Sequence, residues 1–147
     1  MTVPTDLSGR EYLEAIRDGR VAAPPMARLL GFELTTVGDG DVTFTGIPDG
    51  AVLNPNGTVH GGYVATLLDS AVGCAVHTTL PAGTAYTSIE IKVSYLRAIT
   101  VDTGPVTVTG RVTKPGRRVA FADGEARDAE GRLLATAQSS LLVMAPR

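Results

Sequence analysis

Apolar and polar residues along this chain switch from one repeat to another. Residues 85–96 alternate, with Thr87, Ile89, Ile91, Val93 and Tyr95 on one face and Ser88, Glu90, Lys92 and Ser94 on the other. That period of two predicts a strand whose first set of side chains meets a core. Residues 104–113, 119–129 and 132–144 read as three further strands, parted by turns at Pro115-Gly116-Arg117 and Glu130-Gly131. Residues 32–37 and 41–47 form a hairpin about Gly38-Asp39-Gly40. Residues 63–76 break the alternation. There Val64, Leu67, Leu68, Ala71, Val72, Ala75 and Val76 recur at three- and four-residue spacing, which predicts a helix. Ala65 and Cys74 carry apolar groups onto its other sides, so the helix is expected to be enclosed nearly all round. Asp69 lies within it. A charge in a buried helix is expensive unless it is paired or its chemistry is used.

Upstream, residues 1–8 read as frayed. Residues 10–18 predict a short amphipathic helix with Tyr12, Leu13 and Ile16 on one face and Ser8 as its cap. Pro24-Pro25 opens a second short helix at 26–30, which Gly31 closes. Residues 48–58 read as loop. The order is hairpin, one long helix, then an antiparallel meander, with no repeat and no low-complexity linker. That is an α+β fold in one domain over residues 1–147, with 1–25 an N-terminal extension and 26–147 the core. A sheet covers one side of a helix only, so the rest of the helix is expected to meet a second copy.

Composition narrows the function. The chain has 147 residues, 44% of them hydrophobic, which is ample for a core. Charged residues make up 19%, low enough to suggest that part of the surface is covered by another subunit. A net charge of −2 exerts no pull toward nucleic acid or membrane. No apolar run is long enough to span a bilayer and no leader is read at the start, so a cytoplasmic protein is expected. One Cys allows no internal disulfide, and two His and one Cys, well separated, make no metal set. Asn56-Gly57-Thr58 matches a glycosylation acceptor and is read as a turn.

The residues before and within the helix carry a pattern. Asn54, Gly57, His60, Gly61 and Gly62 are followed by Leu67 and Asp69. This resembles the hotdog-fold acyl-CoA thioesterases of the PaaI-like group. The strand 88–96 and the turn with Gly116, Arg117 and Arg118 are similar to the family's as well. The resemblance covers roughly residues 28–145. It implies a hotdog fold and hydrolysis of a CoA thioester. It also implies a homodimer with two sites at its interface, paired into a tetramer of two dimers. Neither metal nor cofactor is implied, coenzyme A being part of the substrate. It gives Ser88 the task of hydrogen-bonding the Asp69 carboxylate. Alternation instead places Thr87 on the apolar face; the resemblance is followed to Ser88, with Thr87 kept as the substitute. A non-catalytic acyl-CoA-binding regulator and a hydratase or dehydratase are the other readings of this fold.

The residues support thioester hydrolysis on their own terms. The first amides of a helix are unpaired donors at the positive end of its dipole. Gly61 and Gly62 at such an end offer one or two donors to a carbonyl oxygen, with His60 shaping the loop. Asp69 serves as general base for water or attacks directly. Asn54 holds the water or the carbonyl. Lys114, Arg117 and Arg118 cluster at a glycine turn and suit the phosphates of CoA, with Lys92 and Arg97 as weaker candidates. Gly61 and Asp69 are 69 − 61 = 8 residues apart on one helix, a rise of about 12 Å with directions differing by roughly 80°. One helix cannot bring both to a single water, so the site is expected to take Asp69 from one chain and Gly61 with Asn54 from another.

Each residue also has a plainer role open to it. Asp69 suits a structural cap, His60 a helix start, Asn54 a turn, and Gly61-Gly62 close backbone packing. His77 at the helix C-terminus suits the dipole, Cys74 packing, and the basic turn a solvated loop. The acyl group is not legible in the sequence.

Overall fold

The computed structural model describes residues 6–144, so most of the 1–8 stretch read as frayed lies outside the described residues. Helix α1 spans Gly9–Arg17. Ser8 caps it: its hydroxyl accepts from the Glu11 amide, and the Glu11 carboxylate accepts in turn from the Ser8 amide at 2.8 Å. Helix α2, Pro25–Leu30, begins on a proline at its first turn and ends where Gly31 turns left-handed at φ 67°.

Six strands form one antiparallel sheet: β1 Phe32–Val37, β2 Asp41–Gly46, β3 Ala85–Tyr95, β4 Val106–Lys114, β5 Val119–Arg127 and β6 Leu133–Met144. Their order across the sheet is β1-β2-β4-β5-β6-β3. The meander read at 104–144 therefore lies in the middle, and β3 closes one edge with no partner on its outer side among the described residues. The 48–58 stretch is more ordered than a plain loop. It holds a 3-10 turn at Gly50–Val52, with the Asp49 carboxylate accepting from the Ala51 amide at 2.8 Å, and a bridge between Leu53 and Val59.

Helix α3, Gly61–His77, lies across the concave face of the sheet. Leu67, Leu68, Ala71, Val72, Ala75 and Val76 have no exposure at all. Leu67, Leu68, Ala71 and Ala75 pack with Val42, Val106 and Val108 in one core cluster, and Val72 and Val76 with Leu80, Ala120, Ala122 and Leu141 in a second. The helix approaches the sheet closely because β4 carries Gly110. A Cβ there would run into the backbone of Ala71 and Val72. This is the sense in which the fold is a hotdog: one long helix held in a curled sheet.

Two expectations are corrected, the burial of Asp69 and the faces of β3. Within its own chain the helix is open on one side, as expected where a sheet covers one side only. Gly62 and Asp69 are exposed and Ala65, Thr66 and Ser70 half-buried, so one stripe of α3 faces away from the sheet. Six strands can cover only one side of a helix, and Asp69 is accordingly not a buried charge within this chain. The second correction concerns β3. Its register against β6 slips between Ser88 and Glu90, where Ile89 bulges out and is 57% exposed. A bulge inserts one residue and reverses which face the rest present. Tyr86 and Ser88 therefore turn toward the helix before it, and Ile91 and Val93 after it, while Thr87 is exposed. Strict alternation had put Thr87 and Ile89 inside.

Candidate active site

The Ser88 hydroxyl donates to the Asp69 carboxylate at 2.8 Å. Asp69 projects from the middle of α3 on its open stripe, and Ser88 reaches it from β3 because the bulge one residue later sets its face. Of the two candidates from sequence, Ser88 and not Thr87 meets Asp69. The pair lies on the wall of a cavity of about 400 Å³ whose other walls come from α1, α2, β1 and Phe44. Cys74 and Tyr86 line it too. Burial pushes the Cys74 thiol up to about 12. It stays protonated at neutral pH and is no nucleophile, in keeping with a packing role.

The start of α3 is built differently. His60 is the N-cap, and its Nδ1 accepts from the Gly62 amide at 2.8 Å, which puts the imidazole proton on Nε2. The Tyr63 amide bonds to the His60 carbonyl. Of the two glycine amides read as oxyanion donors, Gly62's is thus engaged by His60. The Gly61 N–H has no acceptor among the described residues. Tyr95, at the end of β3, lies over Gly61. A Cβ on residue 61 would stand 2.9 Å from the ring, and the phenol donates to the Gly61 carbonyl at 2.8 Å.

Asn54 is committed to its own turn. Its Oδ1 accepts from the Asn56 amide at 2.9 Å and the Thr58 amide at 3.4 Å, and its Nδ2 donates to Thr58 Oγ1 at 2.8 Å. It borders a second cavity, of about 350 Å³, together with Gly61, Tyr95 and Arg97. The structure thus brings together Asp69 with Ser88, and Gly61 with Asn54, but in two separate cavities of one chain. Lys114, Arg117 and Arg118 are exposed on the β4–β5 turn. Arg117 lines a third cavity with Leu80, Pro81 and Thr84 past the C-terminal end of α3. None of the three forms an ion pair among the described residues.

His77 departs from its expected role. Its ring packs between Tyr12, with centroids 5.9 Å apart, and Tyr86, at 5.1 Å. Burial lowers its pKa below the usual 6.5, so it is neutral at pH 7 and brings no charge to the helix dipole. Tyr86, Tyr95 and Arg97 are the neighbours of the site that sequence reasoning missed or ranked low. Only Tyr95 carried a signal, an aromatic on the inward set of the strand. Among the described residues no three His, Cys, Asp or Glu side chains gather to hold a metal ion. No helix among them is long and apolar enough to cross a membrane.

The Thioesterase superfamily model matches residues 56–135, which includes the Gly61 helix start, Asp69 and Ser88. The chain belongs to the Thioesterase superfamily. Within it the chain is PaaI-like. A phenylacetic acid degradation-related protein from Ralstonia eutropha, described as a candidate thioesterase, is 28% identical, with a TM-score of 0.81 over 89% of this chain and 98% of that one. The Escherichia coli PaaI protein shares the fold at a TM-score of 0.82 over 95% of this chain and 98% of its own, at 19% identity. A Caenorhabditis elegans protein named as a candidate esterase is 40% identical over 90 residues, 60% of this chain and 52% of its own length. The chain thus spans only about half of that relative.

Proposed function

We propose that this superfamily member hydrolyses acyl-CoA thioesters, with Asp69 as the group that activates water. The observation that carries this is the Ser88–Asp69 bond of 2.8 Å at the wall of an apolar cavity. Ser88 occupies one carboxylate oxygen and fixes the rotamer, and the other is left for water. The water oxygen attacks the thioester carbonyl carbon and gives its proton to Asp69. The carbonyl oxygen becomes an oxyanion and accepts from the Gly61 N–H. Collapse breaks the C–S bond and releases the CoA thiolate, which needs no strong acid because a thiol is far more acidic than an amine. Direct attack by the same carboxylate, giving an anhydride, is the other route open to it. The chemistry asks for no metal and no cofactor beyond the CoA of the substrate.

The donor and the base come from two copies in this reading. Two observations support it: the stripe of α3 around Asp69 that its own sheet leaves open, and the outer edge of β3 without a partner. A homodimer with helices side by side, and a tetramer of two such dimers, is the assembly proposed.

Thiol release from a panel of acyl-CoAs, followed with a colour reagent, tests the reading. Asp69→Asn is expected to fold and to lose roughly a hundredfold or more in turnover. A folded variant at near wild-type rate would overturn the assignment. The shared site has its own test. Asp69→Asn and Gly61→Ala proteins, unfolded and refolded together, should regain about a quarter of wild-type activity, because half the dimers are mixed and each has one intact site. No recovery, with mixed dimers seen by mass spectrometry, would put the base and the donor in one chain's site.

A further inference from the structure

We propose that the acyl half of the substrate is an uncharged, apolar chain or ring of medium size, and that the N-terminal helices α1 and α2 select it. The proposal rests on the thioesterase reading and deepens it. The cavity beside Asp69 has a volume of about 400 Å³, within the range of about 300–1,000 Å³ for small-molecule sites. Away from Asp69 and Ser88 its wall is largely hydrocarbon: Leu13 and Ile16 from α1, Ala27 from α2, Phe32 and Leu34 from β1, and Phe44 from β2. Ser70, Cys74 and Tyr86 complete the wall beside the pair, and burial keeps the Cys74 thiol and the Tyr86 phenol uncharged. An acyl group entering past Asp69 therefore meets apolar surface.

Charge argues the same way. The cavity is bordered by two carboxylates, Asp69 and Glu33, and one cation, Arg17. Arg17 is already paired with Asp18 at 2.9 Å. An acyl group ending in a carboxylate would face two like charges and find no free cation, whereas an alkyl or aryl group loses only water.

The selecting wall lies outside the family match. Residues 9–30 precede the matched stretch, 56–135, yet they form one side of the cavity. They are fixed there. The capping box holds the start of α1, the Gly9 amide bonds to the Leu80 carbonyl at 3.0 Å, and Tyr12 packs on His77. A side chain on this wall thus sets how much acyl group fits without touching the Asp69–Ser88 pair.

The experiment pairs binding with hydrolysis. S-octyl-CoA and S-ethyl-CoA thioethers, which cannot be hydrolysed, are titrated by calorimetry into wild type, Ala27→Leu and Met26→Ala. Butyryl-, octanoyl-, phenylacetyl- and succinyl-CoA are assayed alongside. Wild type should bind the octyl compound at least tenfold tighter than the ethyl one and should hydrolyse succinyl-CoA at least tenfold more slowly than butyryl-CoA. Ala27→Leu fills the cavity and should cut the octyl preference to threefold or less. Met26→Ala, on a half-exposed side chain at the rim, should shift the preference toward longer chains. It tests the proposal even where Ala27→Leu fails to fold. An octyl-to-ethyl ratio near one in wild type, or one unchanged in both variants, overturns the proposal whether or not thiol is released. Chain-length-dependent binding with no thiol release from any acyl-CoA supports the acyl site and overturns the hydrolase reading instead.

Discussion

The Tyr95 ring lies across the α-carbon of Gly61, and its hydroxyl donates to the Gly61 carbonyl at 2.8 Å. One residue thus explains why position 61 is glycine and holds the first peptide of α3 in place. Tyr95→Phe keeps the ring and loses the bond. It should lower turnover about tenfold with little change in the Michaelis constant, as expected for a misaimed donor. Gly61→Ala should be worse, and the double variant Gly61→Ala/Tyr95→Ala should be less impaired than Gly61→Ala alone, because the clash is relieved. A strictly additive double variant would mean that the ring is only a neighbour.

Arg97 borders the Gly61 cavity, whereas Arg117 lies at the other end of the helix in the same chain. Arg97→Ala should raise the Michaelis constant for acyl-CoA more than Arg117→Ala or Arg118→Ala does, with turnover nearly unchanged in all three. A phosphate contact remote from the carbonyl is uniform binding. A short thioester without the nucleotide should respond to none of them. Equal effects on both substrates would show that these arginines hold their loops and do not grip CoA.

His77 couples stability to pH. Burial between Tyr12 and Tyr86 depresses its folded pKa below 6.5, the value the unfolded chain approaches. Its neutral form is thus favoured by folding. The contribution is full above about pH 6.5 and is lost as pH falls through the folded pKa, by at most about 1.4 kcal/mol per pH unit for one proton. Urea unfolding at pH 8, 6.5 and 5 should show the loss in wild type. His77→Phe should flatten it. An unchanged slope in His77→Phe would assign the acid sensitivity elsewhere.

Gly110→Ala should be among the most damaging single changes in the sheet. The new methyl meets the backbone of Ala71 and Val72, which cannot swing aside as a side chain would. A loss of about 3 kcal/mol or more is expected. Gly50→Ala, where nothing lies within 4 Å and φ is ordinary, serves as the comparison and should stay within about 0.5 kcal/mol of wild type. Chemical denaturation of both variants checks this, and similar midpoints would show that α3 can lift off β4 at little cost.

Much of this was readable from the residues. The period of two in the strands, the three-and-four spacing of Leu67, Leu68, Ala71 and Val72, and the cap at Ser8 are local signals, and the elements lie where they indicated. The motif located Asp69 and Gly61 on one helix, and their spacing kept them in separate cavities. What was not readable depends on partners distant in sequence. The exposure of Asp69 follows from where the sheet ends and not from the helix's own composition. His77 looked like a dipole charge until Tyr12 and Tyr86 closed on it from two other elements. No glycine or proline marks the bulge at Ile89, so alternation carried Thr87 to the wrong face.

That bulge makes β3 behave like a sentence with a shifted reading frame. Residues 85–88 are read in one phase and 90–95 in the other, so the position of Ser88 depends on a count of residues as well as on its identity. Deleting Ile89 would restore a single phase while changing neither Asp69 nor Ser88. Ser88 and Ile91, then two residues apart, would both face α3 in a strand with no bulge. It is the loss of the bulge with Ile89 retained that would cost the pair: regular pairing through that residue puts Ser88 and Ile91 on opposite faces, so either the bond or the core contact goes though no residue has changed. A chain with the right serine at the wrong count would keep the motif without the bond.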